Sequence, residues 1–145
     1  MSTIFTKIIE GQIPGTFVYE DDVAVVFATI QPVKSGHMLV VPRKEYPSYS
    51  SCDDQTLSHL ARVTKLIALA QEECFDIKRS GIIVAGFEVP HLHIHVIPLE
   101  NERELDLSLA KDDTVQNIRI ASEKIRQTLI KMGYEHNVPK DITKL

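Results

Sequence analysis

The stretch His91-Leu92-His93-Ile94-His95-Val96-Ile97 decides how this chain is read. Polar and apolar residues alternate with period two, the pattern of a β-strand with one buried face. His91, His93 and His95 then project from one side, with neighbouring rings roughly 6.5–7 Å apart. Leu92, Ile94 and Val96 project from the other side and supply core. A lone histidine on a strand is usually solvated or internally satisfied, but packing does not call for three in a row. Two chemical readings are open for the row. Neutral imidazole is a common metal ligand, and His-x-His on a strand can bind zinc. Imidazole is also a nucleophile and a hydrogen-bond donor to anions, which suits phosphate chemistry.

Composition narrows the classes. At 145 residues the chain reads as a single domain, 1–145, large enough to bury a core without disulfide staples. Its 25% charged and 43% hydrophobic residues are ordinary globular usage. A net charge of −4 supplies no basic face, which argues against a nucleic-acid partner. No apolar run approaches the roughly 20 residues that span a bilayer, so no membrane partner is expected. Met1-Ser2-Thr3-Ile4-Phe5 lacks the build of a signal peptide, and two cysteines, Cys52 and Cys74, make no disulfide framework. The expected location is the cytoplasm.

Outward from the histidine row, the elements follow from periodicity. Ile4, Phe5, Ile8 and Ile9 have helical spacing, and Gly11 stops that short helix. Phe17-Val18-Tyr19 and Val23–Phe27 read as strands joined by Glu20-Asp21-Asp22, acids expected to form the turn rather than bind metal. His37-Met38-Leu39-Val40-Val41 is a third strand, and His37 at its loop edge is a candidate fourth member of the histidine group. A helix from about Asp53 to Phe75 is capped by Ser50, Ser51 or Asp53 and carries the stripe Leu57, Leu60, Ala61, Thr64, Ile67, Ala68 and Gln71. His59 lies off that stripe and is expected to be solvated. Ser80–Ala85 is a fourth strand, and Gly86-Phe87-Glu88-Val89-Pro90 turns into the histidine strand, the fifth. A polar connection ends in Asp112-Asp113, a cap for a second main helix with stripe Val115, Ile118, Ile125, Leu129 and Met132, stopped by Gly133. The tail, 134–145, reads as loosely ordered. The order β-β-β-α-β-β-α predicts an α+β fold, helices packed on an antiparallel sheet.

Val89-Pro90-His91-Leu92-His93-Ile94-His95-Val96-Ile97-Pro98 resembles the signature of the histidine triad superfamily, His-φ-His-φ-His-φ-φ with φ apolar. The likeness extends to Phe5–Ile9, Ile13-Pro14, Tyr19–Asp22 and Gly36–Pro42, so it covers roughly residues 1–100, leaving 101–133 as connection and C-terminal helix. The resemblance implies a HIT-like fold: a five-stranded antiparallel sheet per subunit with two main helices, joined across a homodimer into a ten-stranded sheet. It implies a nucleotidyl hydrolase or transferase acting at the α-phosphate of phosphoramidates, dinucleoside polyphosphates or acyl-nucleotides. On that model His93 is the nucleophile, forming a covalent nucleotidyl-histidine that water hydrolyses. His95 and the turn at Glu88-Val89 contact phosphate oxygens, while His91 and His37 orient the nucleophilic ring. Ile4, Phe5, Ile8, Phe27 and Leu39 match apolar positions of the base pocket, with plain core as their other reading. Ala28, Thr29, Ile30 and Phe87 complete the expected nucleotide-binding set.

This chain departs from the family pattern in three places. Thr29 stands where relatives carry an Asp that grips the ribose hydroxyls, and a hydroxyl cannot supply the same charge-assisted pair. Phe87 stands where relatives have Gln, and the turn before the histidine strand is short. The alternative to an enzyme is therefore a nucleotide-binding module with little turnover. Zinc-bearing members resemble Cys-x-x-Cys near the N-terminus, where this chain has Thr3 and Thr6. Neither a metal nor another cofactor is expected. Activity is expected to fall in acid as His93 protonates near its ordinary value of about 6.5.

Overall fold

The computed structural model describes residues 2–144. Helix α1 spans Ile4–Ile9, with the Thr3 side chain accepting from Thr6 N–H as its cap. Strands β1 (Gly15–Glu20) and β2 (Ala24–Ala28) form a hairpin. Asp21 makes its turn: Oδ1 accepts from Val23 and Ala24 N–H at 2.8 and 2.7 Å. Strand β3 (Met38–Pro42) follows, then helix α2 (Asp54–Cys74), capped by Asp53. Strands β4 (Arg79–Ile83) and β5 (Ile94–Leu99), helix α3 (Val115–Lys131) and strand β6 (Thr143–Lys144) complete the chain. The sheet order is β4-β5-β3-β2-β1-β6, and every pair is antiparallel.

The two faces of the sheet carry different cores. On one, α2 and α3 cover Val18, Ala24, Val26, Met38, Val40, Leu92, Ile94 and Val96. The apolar half of the histidine alternation thus supplies core there, as its period predicts. On the other face Phe5 and Ile9 of α1 pack with Phe17, Val25, Phe27, Leu39 and Val41, joined by Ile8 and Val89. Burying each such side chain contributes about 1.5–3 kcal/mol, so α1, only six residues long, is held by its packing rather than by its propensity.

Several expectations are corrected. The tail is not loose: Phe17 N–H donates to Ile142 O at 2.7 Å, and Thr143–Lys144 adds a short sixth strand beside β1. Buried Arg126 binds the carbonyls of Phe17 and Pro139, which fastens that tail to α3 and β1. The histidine strand begins at Ile94 rather than His91, because the chain leaves β3 there to enter the preceding turn. Val115 and Met132, at the ends of α3, are exposed, since the sheet does not reach them. On α2, Ala61 is exposed while Val63, Leu66 and Ala70 are buried, a wider stripe than expected. Thr114 rather than Asp112 or Asp113 caps α3. His59 is not free in solvent: its Nε2 lies 2.7 Å from Asp21 Oδ2.

Candidate active site

Four histidines converge where β3 and β5 meet the turn before β5. His37, at the head of β3, follows Gly36, whose φ of +92° is the left-handed region; a Cβ there would lie 2.5 Å from the Phe75 ring. Gln71 of α2 fixes the two backbones that carry His37 and His95. Fully buried, it donates from Nε2 to Gly36 O at 2.9 Å and Val96 O at 3.0 Å, and its Oε1 accepts from Ser80 Oγ at 2.7 Å. Sequence reasoning placed Gln71 on the α2 stripe without a role. The available signal was a polar residue among apolar ones, which must find partners when buried.

The hydrogen bonds assign each ring's tautomer. Val33 N–H donates to His37 Nδ1 at 3.0 Å, so the proton of neutral His37 sits on Nε2. His37 Nε2–H then donates to His95 Nδ1, 2.9 Å away, which puts the proton of His95 on its own Nε2. His93 follows the opposite logic. Its Nδ1 lies 2.7 Å from His91 O, a carbonyl that can only accept, so Nδ1 carries the proton and Nε2 the lone pair. The His93 ring sits 5.0 Å from that of His95 and 4.8 Å from Phe5, edge to face in both cases. His93 thus holds a free base and His95 a donor, side by side.

Electrostatics keep these rings neutral. Burial, with the neighbouring imidazole adding to it, pushes His37 down to about 3 and His95 to about 4. Burial also holds His91 and His93 below the ordinary value, opposed in part by their bonds to the carbonyls of Pro42 and His91. The nearby Glu88 carboxylate acts on His93 in the same upward direction. The acid limit of a lone pair on His93 therefore lies below the 6.5 expected from an unperturbed ring.

The apolar residues divide. Phe5, Ile8, Phe27, Leu39 and Val89 form one cluster on the His93 side of the sheet. Ile4 is 49% exposed and Ile30 is 75% exposed, outside that cluster. The Ala28 side chain belongs to the helix-side core, as the period of β2 requires, so only its backbone faces the site. Thr29 lines a small cleft with His37, Asp113 and Asn117, and its Oγ1 accepts from Gln31 N–H at 3.2 Å. Phe87 is 98% exposed on the turn that Gly86 opens at φ +82°. Among the described residues no group of three or more His, Cys, Asp or Glu side chains could hold a metal ion. Nor is any helix there long and apolar enough to cross a membrane.

Comparison with known proteins agrees with this geometry. The family model of the HIT domain matches residues 10–102. A HIT-like protein of Methanocaldococcus jannaschii is 38% identical, over 79% of this chain and 90% of its own. Adenosine 5'-monophosphoramidase hnt1 of Schizosaccharomyces pombe is 32% identical, over 70% of this chain and 77% of its own. Among solved structures, a histidine triad nucleotide-binding protein of Sulfolobus tokodaii superposes with a TM-score of 0.75 at 28% identity, covering 89% of this chain and 93% of that one. The domain match spans well over half of the chain, and the chain belongs to the HIT, or histidine triad, domain family.

Proposed function

We propose that this protein hydrolyses or transfers a nucleoside monophosphate through a covalent nucleotidyl-His93. The observation that carries the reading is the His93 Nδ1–H bond to His91 O, which leaves the neutral ring with its lone pair on Nε2. That lone pair attacks the α-phosphorus, a P–N bond forms, and the bond to the leaving nitrogen or oxygen breaks, with water supplying the proton the leaving group needs. His95 Nε2–H, set by the relay from Val33 through His37, donates to a phosphate oxygen as charge grows there. Water then attacks phosphorus, the P–N bond breaks, and His93 recovers its electron pair. The adenosine 5'-monophosphoramidase among the relatives makes phosphoramidates the first substrates to test.

In this reading the Phe5, Ile8, Phe27, Leu39 and Val89 cluster receives the base, with Ile4 and Ile30 at its rim. Glu88, Val89 and Phe87 border the phosphate and leaving group, and the backbone at Ala28-Thr29 approaches the sugar. Two copies joined through the edge of β4, where Ile82 is 53% exposed, would make one continuous sheet in which strands β1–β5 of each copy supply the expected ten and the short β6 lies at either end; light scattering reads whether the dimer forms. A second reading, binding with little turnover, draws on Thr29, whose hydroxyl already accepts from Gln31 N–H and brings no charge. Turnover of adenosine phosphoramidate, aminoacyl-adenylates and diadenosine polyphosphates by the wild type, set against His93→Ala, separates the two. Nucleotide binding without product in either protein would favour the binding module.

A further inference from the structure

The hydrogen bonds of His91 lead away from the histidine row to residues given no part in the chemistry above. His91 is fully buried, and its Nε2 lies 2.7 Å from Pro42 O, so Nε2 carries the proton. Its Nδ1 is then an acceptor, and the Thr3 hydroxyl donates to it at 2.8 Å. Thr3 Oγ1 in turn accepts from Thr6 N–H at 3.1 Å. Glu45, distant in sequence, holds both threonines: Oε1 accepts from Thr3 N–H at 2.8 Å and from the Thr6 hydroxyl at 2.5 Å. With the Thr6 proton committed to Glu45, the Thr3 proton is free for His91. The 3.3 Å contact between the two hydroxyls needs neither.

Two paths join this cluster to His93. The His91 carbonyl receives His93 Nδ1–H at 2.7 Å. Phe5, on the helix that Thr3 caps, sets its ring 5.9 Å from His91 and 4.8 Å from His93. A shift of the first turn of α1 would therefore move the carbonyl that fixes the tautomer of His93 and the ring against which it rests.

We propose that Thr3 and Glu45 are positioning residues of the phosphoryl-transfer site, holding His91 in its Nε2–H tautomer so that its carbonyl and Phe5 orient His93. This rests on His93 as the nucleophile. What the two threonines take from Glu45 is an acceptor, because both bonds use one oxygen that an amide would also present.

The test pairs a disruptive with a conservative variant at each position. Thr3→Val and Glu45→Ala lower kcat about ten- to a hundredfold, the scale of a misplaced reacting group, with KM within about threefold. Thr3→Ser and Glu45→Gln keep every hydrogen bond and stay within about threefold of wild-type kcat. The second readout is ¹⁵N NMR of the histidine rings in the free protein. Wild type and the conservative variants show unprotonated Nδ1 at His91 and unprotonated Nε2 at His93. In Thr3→Val, His91 samples both tautomers and the His93 signals shift. Because NMR needs no substrate, a wild type with these tautomers but no turnover would count against nucleotidyl transfer and leave the hydrogen-bonded cluster standing. Unaltered tautomers in folded Thr3→Val, or kcat lost in the Ser or Gln variant at an unchanged Tm, would overturn the proposal. The conservative arms decide it even if a disruptive variant does not fold.

Discussion

Acid should destabilise this protein well before its carboxylates protonate. In the folded chain His37 and His95 stay neutral down to about 3 and about 4, because burial penalises the charged ring and each faces another imidazole. In the unfolded chain both return to about 6.5. The unfolded state therefore binds more protons below that value, and stability declines as pH falls through the window between 6.5 and 4. From pH 7 to pH 5 each ring contributes a loss of about 2 kcal/mol, roughly 4 kcal/mol for the pair. That is a large part of the 5–15 kcal/mol typical of a domain. Urea unfolding at half-unit intervals of pH reads the loss directly. His37→Asn, although less stable at pH 7, should show a pH slope shallower by about one proton, near 1.4 kcal/mol per unit. A wild type whose stability changes by less than about 1 kcal/mol between pH 7 and 5, or an unchanged slope in His37→Asn, would refute the assignment of neutral, buried rings.

Other expectations are as specific. Gln71→Ala strips hydrogen bonds from two carbonyls, Gly36 O and Val96 O, and opens a cavity; it should cost about 2–5 kcal/mol in denaturant unfolding. Thr29→Asp should raise the kcat/KM ratio for ribonucleotide over 2′-deoxyribonucleotide substrates by about 1–2 kcal/mol, tenfold or somewhat more. An unchanged ratio would place Thr29 away from the sugar. Activity should survive exhaustive chelation, and stoichiometric zinc by elemental analysis, with activity lost on stripping and restored on return, would contradict that.

Local pattern made much of this fold legible. The alternation from His91 to Val96 correctly put Leu92, Ile94 and Val96 in the core, and Gly11 and Gly133 stop their helices at φ +81° and +98°. These signals lie within a few residues of their effects. What escaped depends on partners far along the chain. Strand β6 forms because Gly15 and Thr16 offer an open edge more than a hundred residues away, and nothing in Thr143-Lys144 announces it. Glu45 carries no signal in the sequence, because its two donors lie about forty residues upstream. The site histidines could be read as a group from their spacing and from His37 at a strand edge. Their tautomers could not, since those depend on Val33 N–H, Pro42 O and His91 O. Period two sends the Ala28 side chain to the opposite face, which leaves only its backbone for the nucleotide.

The central claim is the covalent step at His93, and trapping it is the most direct measurement. The protein is mixed with an adenylated substrate, quenched within the first turnover and digested, and the peptide carrying His91, His93 and His95 is weighed and fragmented. The account predicts an adenylyl group bonded to His93 and to neither neighbour, formed and discharged at rates compatible with turnover and absent from His93→Ala. Full turnover with no adduct at any quench time, or an adduct borne by His95 or His91, would contradict it.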